Sequence, residues 1–147
     1  MSWERAFSKF ISGDPRSKGS FRPIKTKDGR VFMAQSKASK SWENTIRELC
    51  QGWGAPHDGP VRLLVLFFLP RPKSHYRTGK YAGELREDAP RWPDKTPDID
   101  KLLRAVMDGL TRVLYDDDKR VVSVECEKRY TKATGEVGVG IRAWVWR

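Results

Sequence analysis

Histidine and cysteine are scarce in this chain, with two of each among 147 residues. Cys50 and Cys126 stand far apart, so neither the usual Cys/His zinc spacings nor a disulfide framework can be built. Both thiols sit in apolar-periodic surroundings, which predicts that they are buried and free. Long hydrophobic runs are missing too. The longest, residues 63–69, falls far short of the roughly 20 residues that cross a bilayer, so no membrane partner is expected. The N-terminal MSWER carries no apolar signal segment, which points to a cytoplasmic protein. Internal repeats and low-complexity tracts are absent as well.

Positive charge is abundant. Lysine and arginine number 29 against 19 aspartates and glutamates, a net charge of +10. Such an excess favours a polyanionic partner, because each neutralised phosphate releases condensed counterions. Hydrophobic residues make up 38% and charged residues 33%, which suits a soluble globular chain. The length fits a single domain over residues 1–147.

Residues 3–11 (WERAFSKFI) predict an opening strand, and Lys27-Asp28-Gly29 a hairpin turn. Trp42, Ile46, Leu49 and Cys50 fall at helical spacing up to Gly52. The continuous apolar run at 61–69 predicts a central strand covered on both faces. Residues 70–97, rich in proline, glycine and charge, predict a long exposed basic loop. The clearest helix spans 99–113, with Ile99, Leu102, Leu103, Val106, Met107, Leu110 and Val113 as one apolar stripe. Strands are expected at 121–130 and 137–146. The order implies an α+β fold, a mixed β-sheet packed with two main helices.

Two acidic clusters bracket the long helix. Asp98 and Asp100 lie at its entrance, where carboxylates satisfy free N–H groups and suit the positive helix end. That capping role is one reading of the pair. Asp116, Asp117 and Asp118 follow the helix, where a turn would account for one aspartate but three adjacent ones repel each other. The second reading joins the clusters into an oxygen-rich pocket of the kind Mg²⁺ prefers, with Mn²⁺ a plausible substitute. Phosphodiester hydrolysis needs such a pocket. No organic cofactor is implied.

In the loop, Arg71, Lys73, Arg77 and Lys80 are interleaved with His75, Tyr76 and Tyr81. Such a set can stack on bases and hold phosphates, or simply be a solvated face. His75 is a candidate base only in the weaker of its two readings, the other being a solvated loop histidine. Lys18 and Arg22 belong to a second cationic region, read as a phosphate track.

The ordered string PDIDKLLRAVMDGLT at 97–111, LYDDDKRVV at 114–122 and EKRY at 127–130 resembles the RusA family of Holliday junction resolvases, found in bacteria and often in phages. KGSFRP at 18–23 and PRPKSHY at 70–76 extend the likeness over most of the chain. The resemblance implies a homodimeric α+β nuclease that nicks two opposed strands of a four-way junction with a divalent metal. By position it implies Asp98, Asp100 and Asp118 as catalytic metal-binding carboxylates, with Asp117 beside them. Two positions depart from the family pattern. Lys101 stands where asparagine is frequent, a cation beside the metal that weakens its binding or contacts the scissile phosphate. Arg104 stands where lysine is typical. Arginine keeps its proton, so Arg104 suits transition-state contact rather than proton donation. Other branched DNA, such as flaps and forks, and a non-catalytic nucleic-acid-binding module are the competing readings. A homodimer also follows from the two equivalent scissile strands of a junction. Trp144 and Trp146, alternating on the last strand, either supply its interface or pack on the helices.

Overall fold

The computed structural model describes residues 1–15, 21–25, 27–35, 37–132 and 135–147, with the backbone alone over 21–25, 31–35 and 37–39. The elements in chain order are β1 (Trp3–Ser12), β2 (Phe21–Lys25), β3 (Val31–Gln35), α1 (Lys37–Leu49), β4 (Val61–Leu69), α2 (Ile99–Leu110), β5 (Val121–Tyr130) and β6 (Gly138–Trp146). A four-stranded sheet runs in the order β1-β6-β4-β5, and β2 and β3 form a separate antiparallel pair. The sheet is mixed. β6 lies antiparallel to β1 and β4, whereas β4 and β5 are parallel. This is the α+β architecture that the sequence pattern predicts.

Both helices pack on one face of the sheet. Val61, Leu63, Val65 and Phe67 of β4 meet Ile141, Ala143 and Val145 of β6 in a core completed by Trp42 and Ile46 of α1 and by Leu102, Val106 and Leu110 of α2. Burying each of the larger aliphatic side chains contributes about 1.5–3 kcal/mol. The expectation that β4 is covered on both faces needs correction. Its burial alternates, with Arg62 exposed and Leu64, Leu66 and Phe68 only half-buried. Among the described residues no helix lies over that second face. Side chains of neighbouring strands screen it instead: Phe68 sits 6.0 Å from Phe10, Trp3 meets Trp146 edge-on at 5.3 Å, and Arg62 covers Trp3 at 4.4 Å. Trp144 and Trp146 therefore point away from the helices, whose side of β6 is occupied by Ala143 and Val145.

α1 buries Trp42, Glu43 and Ile46, and Cys50 is buried just past its end, but Leu49 is exposed. α2 buries Leu102, Ala105, Val106, Gly109 and Leu110. It stops at Leu110, three residues short of the expected end. The Met107 carbonyl accepts from the Thr111 N–H (3.1 Å), the Thr111 hydroxyl (3.0 Å) and the Tyr115 hydroxyl (2.7 Å). Arg112 then adopts φ 69° and donates its N–H to the Tyr115 carbonyl. Val113 keeps its place in the stripe because it is buried, not because it is helical. Among the described residues no helix is long and apolar enough to cross a membrane.

The helices cross closely at Gly109. A Cβ there would lie 2.8 Å from Cγ2 of Ile46 and 3.1 Å from the Glu43 carbonyl oxygen. Overpacking of this kind costs about 1–3 kcal/mol. Gly109→Ala is therefore expected to lower the urea midpoint with an unchanged slope. An unaltered midpoint would show that the crossing has slack.

Candidate metal and nucleic-acid site

Asp98 occupies the N-cap position of α2 with extended backbone, yet its side chain makes no capping hydrogen bond. The local structure thus separates the two readings of this residue. The cap position is filled, but the carboxylate is left pointing to solvent, with Nζ of Lys101 at 3.4 Å as its partner. Asp100, in the first helical turn, is exposed and makes no hydrogen bond or ion pair among the described residues. Arg104 is likewise exposed, and its four-residue spacing from Asp100 sets the two on one helix face. Hard, exposed carboxylate oxygens, one pair facing only a lysine and the other without a described partner, suit Mg²⁺, which is commonly held by one or two carboxylates and completed by water and phosphate.

The acidic triplet divides into three different jobs. Asp116 accepts two hydrogen bonds from Arg120, at 2.8 and 2.9 Å, and this holds its pKa down at about 2. Oδ1 of Asp117 accepts from the Lys119 N–H at 2.9 Å and caps the short turn Asp118–Arg120. Asp118 has no such bond among the described residues and is exposed. Its charge is felt by Tyr115, whose phenol is pushed up first by burial and then by Asp118 and Asp108.

The two clusters do not meet within one chain. Asp98 precedes α2, whereas Asp118 follows it, beside the Tyr115 hydroxyl that bonds Met107. Twelve residues of helix span about 18 Å. β5 reports the same separation. It starts just after Asp118, and Lys128, about 23 Å along the strand from Val121, reaches back to the Pro97 carbonyl. No three of His, Cys, Asp and Glu gather at metal-binding distance among the described residues.

The basic loop is built rather than loose. Tyr76 bridges to Leu85, the Arg77 N–H donates to Glu84 at 2.8 Å, and Gly79–Tyr81 forms a tight turn. Arg71 lies 4.2 Å over the Tyr130 ring and donates to the Pro90 carbonyl at 2.7 Å, so it latches the loop to β5. His75 packs edge-on against Tyr130, with Nδ1 3.3 Å from Arg71. Arg77 stacks on Tyr81 and pairs with Glu84, and Lys80 lies near the same ring. Lys73 stays exposed and unengaged among the described residues. Arg71, Lys73, Tyr76, Arg77 and Lys132 line one open groove of about 720 Å³, and no acidic residue is among its described lining. Lys18 lies outside the described residues, and Arg22 is placed on β2 by its backbone alone.

Both thiols are free; Cys50 is buried and Cys126 half-buried. Burial pushes each up to about 11, helped at Cys126 by Glu127. Each is held protonated at neutral pH and is a poor nucleophile there.

Comparison with known proteins agrees with this chemistry and gives the class, that of the endodeoxyribonucleases. Residues 13–142 match the family Endodeoxyribonuclease RusA, and the chain belongs to that family. It is also similar to the uncharacterized protein YqaN of Bacillus subtilis (strain 168), 30% identical over 129 residues that cover 83% of this chain and 86% of that protein.

Gly109 and Lys128 escaped the sequence reading. The signal for Gly109 was a glycine inside an otherwise periodic helix, which marks close approach. Lys128 gave none, since a lysine on an edge strand reads as solvated.

The Asp116–Arg120 pair yields a pH prediction. The folded pKa lies below the ordinary value of 3.8, so the pair stabilises the fold above that value and ceases to do so as the pH falls towards 2. Carboxyl NMR should find the Asp116 midpoint near 2 and return it towards 3.8 in Arg120→Met. A wild-type midpoint of 3.8 would mean that the pair does not persist in solution.

Proposed function

We propose that the protein resolves four-way DNA junctions by paired, Mg²⁺-dependent nicks, acting as a two-fold homodimer. The observation that carries this reading is the carboxylate of Asp98, placed at a helix cap without capping, next to an unpartnered Asp100. These two residues hold the ion in the proposed site. A divalent ion there supplies Lewis acidity and neutralises the charge that develops on the phosphate.

The chain's own cations complete the chemistry. Arg104 contacts the scissile phosphate and stabilises its transition state, but it donates no proton because guanidinium does not deprotonate in proteins. Lys101 shields Asp98 until a phosphate arrives, then turns to that phosphate. The groove of Arg71, Lys73, Arg77 and Lys132, together with Lys80 and the N-terminal cations Lys18 and Arg22, follows the branched DNA.

The dimer is supported by what the single chain leaves unfinished. β5 is an edge strand, with Val122 62% and Val124 36% exposed. Beside it Ile99 is 38% exposed, and Leu103 and Met107 continue that stripe half-buried. A second copy paired antiparallel along β5 covers these residues and sets the start of one β5 beside the end of the other. Asp118 of each chain then approaches Asp98 and Asp100 of its partner, with Asp117 behind it. The tryptophan face does not offer this. A copy docked there would leave the acidic ends of α2 on the far side of each sheet.

Mixing inactive variants tests the arrangement. Asp98→Asn and Asp118→Asn should each abolish cutting while keeping junction binding. Mixed, they should recover single nicks at roughly a quarter of the wild-type rate, because half the dimers carry one intact site. A mixture as inactive as its components would place both carboxylates in one chain's site or remove one of them. Cutting of flaps or linear duplex as fast as junctions would move the reading to another branched-DNA nuclease or to general DNA cleavage. Binding with no cutting of any substrate would leave only a binding module.

Arg104→Ala provides a separate check. It should slow cleavage about 100-fold or more with junction affinity nearly unchanged. Equal losses in both would make Arg104 a binding contact.

A further inference from the structure

Lys128 has an uncommon position for a lysine on an edge strand. It is half-buried, and its ammonium donates to two backbone carbonyls, Lys95 at 2.8 Å and Pro97 at 2.9 Å. These carbonyls lie on either side of Thr96, and the peptide unit that begins with the second one ends at the nitrogen of Asp98. The same side chain therefore ties the last strand of the crossover to the segment that delivers the metal-site carboxylate.

Nothing else described holds that segment so directly. Residues 94–96 are exposed, and among the described residues the backbone of 94–98 bonds to the body of the protein only through the helical bond from the Leu102 N–H to the Asp98 carbonyl. The Asp98 side chain makes no capping bond, and its one tie to its own helix among the described residues is the exposed ion pair with Lys101 at 3.4 Å. An ammonium with two carbonyl acceptors is a charge-assisted clamp, stronger than a neutral pair and hard to replace once partly desolvated.

We propose that Lys128 is a positioning residue for the metal centre. By clamping the Lys95 and Pro97 carbonyls, it sets the direction in which Asp98 leaves the helix entrance. Its positive charge is satisfied by carbonyls rather than by a carboxylate, so it orients the ligand without competing for it. The inference rests on Asp98 being a metal ligand, and it predicts a defect in metal affinity rather than in DNA affinity.

The test uses the full chain with Lys128→Met, which keeps most of the length of the side chain and removes its donors, and Lys128→Arg, which keeps charge and donors. Hydrogen exchange of the peptide 95–103 reads the clamp without any metal or DNA. Titration with Mn²⁺, followed by its electron paramagnetic resonance, reads the site without turnover. Lys128→Met should speed exchange in 95–103 alone and weaken Mn²⁺ binding about 10- to 100-fold, the usual cost of losing a group that orients a ligand. Cleavage should return at high metal concentration, and junction affinity and its salt slope should stay at wild-type values. Lys128→Arg should restore most of the Mn²⁺ affinity. Unchanged exchange across 95–103, or unchanged Mn²⁺ affinity beside faster exchange, would overturn the proposal. So would a fall in junction affinity with normal metal dependence, which would make Lys128 a phosphate contact. A wild-type protein that binds no Mn²⁺, with or without DNA, would defeat the metal reading of Asp98 and this inference with it.

Discussion

Parallel pairing of β4 with β5 is the constraint on which the rest of the molecule depends. Two parallel strands cannot be joined by a tight turn, so the chain must leave the end of β4 and return to the start of β5 through a crossover. Everything chemically distinctive in the protein, apart from the N-terminal cations, lies in that crossover or on the strand that receives it. The basic loop takes the chain off the sheet, α2 brings it back, and the two acidic clusters mark the helix's two ends. Even the clamp on Pro97 comes from β5. The candidate site residues are thus positioned by a single topological demand.

Much of this was legible in the residues. Apolar spacing located α2 and its buried face, because a helix that packs on a sheet needs a stripe of that width. β4 and β5 were legible from their runs, and the order of elements gave the mixed sheet. Coverage of β4 was not. A continuous apolar run states that side chains avoid water, but Leu64, Leu66 and Phe68 do so partly through neighbouring strands rather than a second layer of helices. The end of α2 was also hidden. Val113 fits the period, and what stops the helix is a carbonyl that three donors share, a matter of atoms rather than of pattern.

The acidic residues show the same limit more sharply. Their types and order pointed to metal chemistry, and Asp98 fell where a cap was expected. Spacing along the chain could not say that the cap bond goes unmade, nor that one aspartate of the triplet is bound by Arg120 and another by a turn. It also could not show that a helix between two clusters holds them apart as firmly as it links them. Periodicity reports which face a residue occupies. It is silent on which end of the element the chemistry occupies, and in this fold the ends matter.

The two thiols add one more consequence. With each pushed up to about 11, only about one in ten thousand is a thiolate at pH 7. Peroxide and disulfide reagents attack the thiolate, so both cysteines stand near the bottom of the oxidation ladder. Neither thiol is poised to act as a redox sensor.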